Sequence, residues 1–168
     1  MRPVKKVNES EITHSQLMMP QHGNPSPDGR FQNVNGGIIL NLIDNVAGIV
    51  SLRHCRSRTV TASIDQMEFL HPVRVGDLLI IKAAVNWVGR TSLEIGVRVE
   101  TENLFTGETN PTGRAYLTFV AVDNDGKPID APMIEPTTLD EKRRFREAQE
   151  RRERRLNHRK QTLQNMSG

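Results

Sequence analysis

Residues 36–52 read GGIILNLIDNVAGIVSL: a Gly-Gly pair, an apolar run, and one acid, Asp44, near its middle. Glycine is a poor residue for a helix interior, so Gly36 and Gly37 mark a first turn. Stepping by about 100° per residue places Ile38, Ile39, Leu42, Ile43, Val46, Ile49 and Val50 on one face, expected to lie on a sheet. The opposite stripe holds Asn41, Asp44, Asn45, Gly48 and Ser51. It is polar but small, where an ordinary solvent face would carry Lys, Glu and Arg. Small side chains suit close approach of another backbone, so this stripe is expected to meet a second subunit. No basic residue lies between positions 36 and 52. A carboxylate taken out of water is costly unless it caps, pairs or does chemistry, and that singles out Asp44.

Outward from the helix, four stretches read as strands: 59–70 (TVTASIDQMEFL), 77–88 (DLLIIKAAVNWV), 91–102 (TSLEIGVRVETE) and 114–123 (RAYLTFVAVD). The links HPVRVGD, GR and NLFTGETNPTG carry turn chemistry, so neighbouring strands pair antiparallel. Residues 9–19 form an edge strand. Residues 20–35 are a Pro/Gly/Asn-rich loop, long enough to suggest function. The expected fold is α+β: a curved antiparallel sheet wrapped around a long central helix, over residues 9–123. Residues 124–137 read as a linker and 138–168 as an extra charged C-terminal helix.

The bulk numbers exclude several classes. One cysteine, Cys55, rules out an intramolecular disulfide framework and reads as a small buried hydrophobe. No apolar h-region opens the chain and no run reaches about 18 apolar residues, so a cytoplasmic protein with no membrane partner is expected. The net charge of +3 concentrates in residues 141–160, EKRRFREAQERRERRLNHRK. Glutamates interrupt that run and no stacking aromatics are interleaved, which argues against nucleic acid. A solvated helix with pairs such as Glu147–Arg151 is the simpler reading. No cluster has metal-ligand spacing and no dinucleotide fingerprint follows a strand.

The chemistry that fits is acyl transfer to water. A helix N-terminus offers free N–H groups and partial positive charge, and Gly36 and Gly37 let a carbonyl approach them. Across an interface, Asp44 would act as nucleophile or as general base on water.

The ordered segments MMPQHGN (18–24), NGGIILNLIDNVAGIVSLRHC (35–55), VTASIDQMEFLHPVRVGD (60–77) and WVGRTSLEIGVRVETEN (87–103) resemble the hot-dog-fold acyl-CoA thioesterases, the group of the vertebrate cytosolic brain-type enzyme and its bacterial short-chain relatives. The resemblance covers roughly residues 12–123. It implies a homo-oligomer, with two units forming a double hot dog and three pairs a hexamer. It implies acyl-CoA as substrate and no separate cofactor. The site would lie between units, using a helix Asp, matched by Asp44, and a loop Asn in a P-x-D-x-N pattern, matched by Asn24. His22 stands where the family commonly has Asp, and the loop looks longer, so Asn33 is an alternative. Gly37 and Gly36 would serve the thioester carbonyl. Arg58, Arg90, Thr91 and Ser92 would contact coenzyme A, with Arg56 a neighbour of the same type.

Thr61, Ser63 and Asp65 alternate along one strand face and are expected to line the cleft. His54 at the helix end complements its dipole, and His71 before Pro72 reads as a turn. Two further functions stay open at this level: a non-catalytic acyl-CoA sensor with a basic tail, and a hot-dog hydratase or dehydratase, for which His22 is the only histidine in the helix or its loop.

Overall fold

The computed structural model describes residues 2–26 and 33–166; the loop tip at 27–32 lies outside it, as do residues 1, 167 and 168. The central helix, α1, runs Gly36–Cys55. Asn35 caps its start, with the Gly37 N–H donating to Asn35 Oδ1 at 2.7 Å. At its end Arg56 turns left-handed (φ 53°) and its N–H closes on Leu52 O.

Five strands wrap this helix: β2 (Ile12–Leu17), β3 (Arg58–Phe69), β4 (Leu78–Val88), β5 (Ser92–Glu102) and β6 (Thr109–Val122). They form one antiparallel sheet in the order β2-β4-β5-β6-β3, so β2 and β3 are its edges. Alternation along the strands sorts the two faces. Leu79, Ile81, Val85, Leu93, Ile95, Val97, Leu117 and Phe119 point inward onto Ile39, Ile43, Val46, Ala47 and Val50. This is the hot-dog arrangement. By length and composition α1 is apolar enough to cross a membrane, and here it is the partly buried core helix under the sheet.

The helix sits rolled relative to the expected face. Ile49 is 48% exposed, whereas Ser51 is fully buried. Seven apolar positions cover a wider arc than one sheet contacts, and two local facts set the roll. Ala47 offers little bulk against the sheet. Ser51 satisfies its hydroxyl internally, donating to Gly48 O and lying 2.6 Å from Thr59 Oγ1.

A second, two-stranded sheet joins β1 (Val4–Lys6) in parallel to β7 (Met133–Glu135). Residues 124–137 are therefore more than a link. This ribbon closes the C-terminal end of α1: Lys5 Nζ donates to His54 O, and His54 Nε2 donates to Pro132 O at 2.9 Å. His54 is completely buried, not an exposed partner of the helix dipole. Burial pushes its pKa down, and the Pro132 bond only partly opposes that. Burial likewise pushes the Cys55 thiol up to about 11.

The second helix, α2 (Leu139–Met166), opens on a capping box. Glu141 N–H donates to Thr138 Oγ1, and Thr138 N–H donates to Glu141 Oε2. It lies on the outer sheet face, opposite α1, and turns Arg151, Arg152 and Arg155 inward. Arg151 donates twice to Glu94, at 2.7 and 3.2 Å, with side chains only 14% and 3% exposed. Its guanidinium also stacks 3.7 Å from the Tyr116 ring centre. Burial works against the Arg151 charge, but the Glu94 bonds outweigh it and raise its pKa. The expected Glu147–Arg151 surface pair is thus replaced, and Glu147 pairs with Arg143. Arg152 lies over Trp87, and Arg155 pairs with Asp65. Beneath, Asn86 crosses the bare backbone of Gly96, where any Cβ would collide with its amide, and donates to Glu94.

Candidate active site

Asp44 is half-buried between α1 and the free edge strand β3, where Thr61 Oγ1 donates to its Oδ1 at 3.0 Å. Its second oxygen has no hydrogen-bond partner among the described residues. Thr61 reaches Asp44 because of a break in β3. The register shifts between Thr61, opposite Phe119, and Ser63, opposite Thr118. Phe119 points to the core and Thr118 points out, so Thr61 faces α1 while Ser63 faces away. Asp65 follows Ser63 to the outer face, taking bonds from Ser63, Thr118 and Arg155. Of the three residues expected along the cleft, only Thr61 lies there. Simple alternation missed this because a bulge exchanges faces.

The loop before α1 is closed at its neck. Asn24 N–H donates to Asn33 O at 2.8 Å, Gly23 bridges Val34, and Asn35 N–H donates to His22 O. Both Asn24 and Asn33 are exposed side by side at the mouth of the loop. His22 is a local brace: its Nδ1 accepts the Met19 N–H. At the helix start, the Gly37 N–H is held by Asn35, whereas the Gly36 N–H makes no hydrogen bond among the described residues.

Asp44 is eight residues from Gly36, about 12 Å along the helix at ~1.5 Å per residue. Reacting atoms must come within ~3–3.5 Å. The backward lean of a helical side chain does not close that gap. A single chain therefore does not bring Asp44 and its own helix N-terminus to one carbonyl.

Arg58, Arg90, Thr91 and Ser92 gather at the opposite end of the sheet from Gly36. The turn after β4 is tied by Gly89 N–H to Ser92 O and by Ala121 N–H to Thr91 O. Thr59 pairs with Ala121, so Arg58 lies on the second strand over, roughly 10 Å away across β6. Arg58 donates to Asn124 O, and Arg90 is 3.6 Å from Asp130 with its side chain 80% exposed. Arg56 is exposed at the helix end.

A helix that starts on two glycines, a carboxylate further along it, and a sheet wrapped around both agree with what comparison finds. The Thioesterase superfamily model matches residues 31–105. Protein VdlD of Helicobacter pylori is 40% identical over 151 residues, covering 89% of this chain and 83% of that protein. The chain belongs to the thioesterase superfamily. The protein named "uncharacterized acyl-CoA thioester hydrolase YkhA" of Bacillus subtilis is 38% identical over 133 residues, 79% of this chain and 74% of that one. Among solved structures, a variant acyl-CoA hydrolase from Staphylococcus aureus in complex with coenzyme A superposes with a TM-score of 0.90 at 32% identity, covering 99% and 97% of the two chains. A hexameric acyl-CoA thioesterase superposes with a TM-score of 0.87 at 38% identity, covering 93% and 97%. The superfamily match spans α1 and β3 to β5, the elements that carry Asp44, Thr61 and the turn at 89–92.

Proposed function

We propose that this chain hydrolyses acyl-CoA thioesters, with each site built from two copies. The observation that carries the reading is the Asp44–Thr61 pair set on an open edge, too far along α1 from the Gly36 amide for one copy to use both. Two copies with antiparallel α1 helices would set the Asp44 of one against the helix N-terminus of the other. The surface around Asp44 suits such a contact. β3 is an unpaired edge of 12 residues, flanked by exposed Ile49, Leu52, Val60 and Ile64. An apolar free edge of this kind is a template for pairing with another chain. The hexamer of the solved neighbour supports further assembly of such pairs.

In this site the Gly36 amide polarises the thioester carbonyl, the Gly37 N–H expected beside it being taken by the Asn35 cap, and Asn24 or Asn33 from the same copy orients it or the water. The free oxygen of Asp44 either takes a proton from the attacking water or itself attacks the carbonyl carbon. On both routes one water is consumed, the C–S bond breaks, and coenzyme A leaves as the thiol beside a carboxylic acid. Arg58 and the turn Arg90-Thr91-Ser92 are proposed to contact the coenzyme A phosphates, and coenzyme A is needed only as part of the substrate. A cytoplasmic setting, where acyl-CoA is made and used, fits the reading.

The test is free-thiol release from acyl-CoAs spanning acetyl to palmitoyl. Thiol release by the native chain should fall about 10²–10⁴-fold in Asp44→Asn, with oligomer size unchanged. Near-native turnover in the variant removes Asp44 from the chemistry.

A further inference from the structure

Beside Gly36, whose N–H makes no hydrogen bond among the described residues, lies a cleft of about 360 Å³. Val34, Ile39 and Val73, all buried, make its floor, while half-exposed Phe69 and Leu70 make its wall. Polar groups stand only at the rim, where Asn33 and His71 face outward. The cleft is thus apolar within and polar at its mouth, and Gly36 is part of its lining. A pocket of this kind takes an aliphatic group joined to a polar head.

Phe69 has a specific place in it. An added Cβ on Gly36 would sit 3.3 Å from Phe69 Cζ and 3.7 and 3.9 Å from the flanking ring carbons. The ring therefore points its tip at the bare Gly36 backbone. Phe69 ends β3, and its neighbour Leu70 is held by an N–H bond to Thr112 O, so the ring is carried on ordered chain. An acyl carbonyl bound at the Gly36 amide sends its chain along this ring.

We propose that the cleft receives the acyl chain of the thioester and that Phe69 is its specificity-determining residue, setting the length that fits. The inference rests on the thioesterase reading above and adds the residue that discriminates among its substrates by chain length.

The experiment measures kcat/KM for straight-chain acyl-CoAs from acetyl to palmitoyl in three proteins: native, Phe69→Ala and Phe69→Trp. Each methylene that enters the cleft should raise native kcat/KM about fourfold, until the chain meets the ring and the rise stops. Phe69→Ala should move that break to longer chains by at least two carbons, and Phe69→Trp should move it to shorter ones. Opposed shifts in two variants keep the test informative if one of them folds poorly. Equal scaling across all chain lengths in both variants overturns the role of Phe69 while leaving the hydrolase intact. Absence of thiol release by the native chain on any substrate overturns the thioesterase reading and this inference together.

Discussion

If each site needs groups from two copies, activity can be rebuilt from two dead proteins. Asp44→Asn abolishes the carboxylate half of a site, and a loop variant, Asn24→Ala or Asn33→Ala, abolishes the other half. In a two-fold dimer of one carboxylate variant and one loop variant, both lesions fall in one site and the second site is wholly native. Random mixing of equal amounts makes half of the dimers mixed, each with one working site of two. The recovered activity is about one quarter of native, against nearly none in either parent. The magnitude follows from the ~12 Å between Asp44 and Gly36, which forbids a self-contained site. The assay is thiol release after co-expression with two affinity tags and sequential purification; a lone mixed dimer should show about half of native activity, and a hexamer of randomly mixed pairs about one quarter. The same experiment chooses the asparagine, because only the variant that loses activity alone and regains it in the mixture carries the function. A mixture no more active than its parents refutes the shared site.

Two further outcomes test the packing that holds the sheet. Arg151→Ala leaves Glu94 buried with Asn86 as its remaining donor. Breaking a buried pair in this way costs about 3 kcal/mol or more, a Tm drop of roughly 6–12 °C at fixed protein concentration. A change below about 1 kcal/mol in urea unfolding would show that the pair is not desolvated as described. His54 adds a pH dependence. Its folded pKa is depressed, so below about pH 6.5 the unfolded chain takes a proton that the folded chain refuses, and stability falls as pH drops. His54→Gln should flatten the Tm profile between pH 7.5 and 5; identical slopes would place the titration elsewhere.

Much of the fold was legible because its periodicities are long. The α1 pattern gave the element type but not the roll that exposes Ile49 and buries Ser51, whereas the alternation Leu93, Ile95, Val97, Val99 against Glu94, Arg98, Glu100 gave both element type and inward face. The strand β6 begins at Thr109, earlier than its β-rich part, because Asn110 and Thr109 pair with Thr101 and Glu102 across an irregularity at Pro111, which has no N–H to give. β1 and β7 carry three residues each, too few to show a period, and their pairing joins opposite ends of the chain. Asp44 stood out because an acid in an apolar helix needs a reason. Its hydroxyl partner did not, since a bulge separates Thr61 from Ser63 and Asp65. The charged helix was read as solvated because sequence shows charge but not what lies under it. Glu94 and Asp65, which draw Arg151 and Arg155 inward, are far away in the chain.

The bulge in β3 also gives that strand two masters. Thr61 is bonded to the carboxylate inside the wrap, and four residues on, Asp65 is gripped from outside by an arginine of α2. The grip of α2 on β3 at that point is ionic and partly open to solvent. Such an attachment weakens in salt, while the apolar seating of α1 does not. The strand is then a beam braced on one side by packing and on the other by charge. Ionic strength therefore acts on β3 at Asp65, on the far side of the sheet from Thr61 and Asp44.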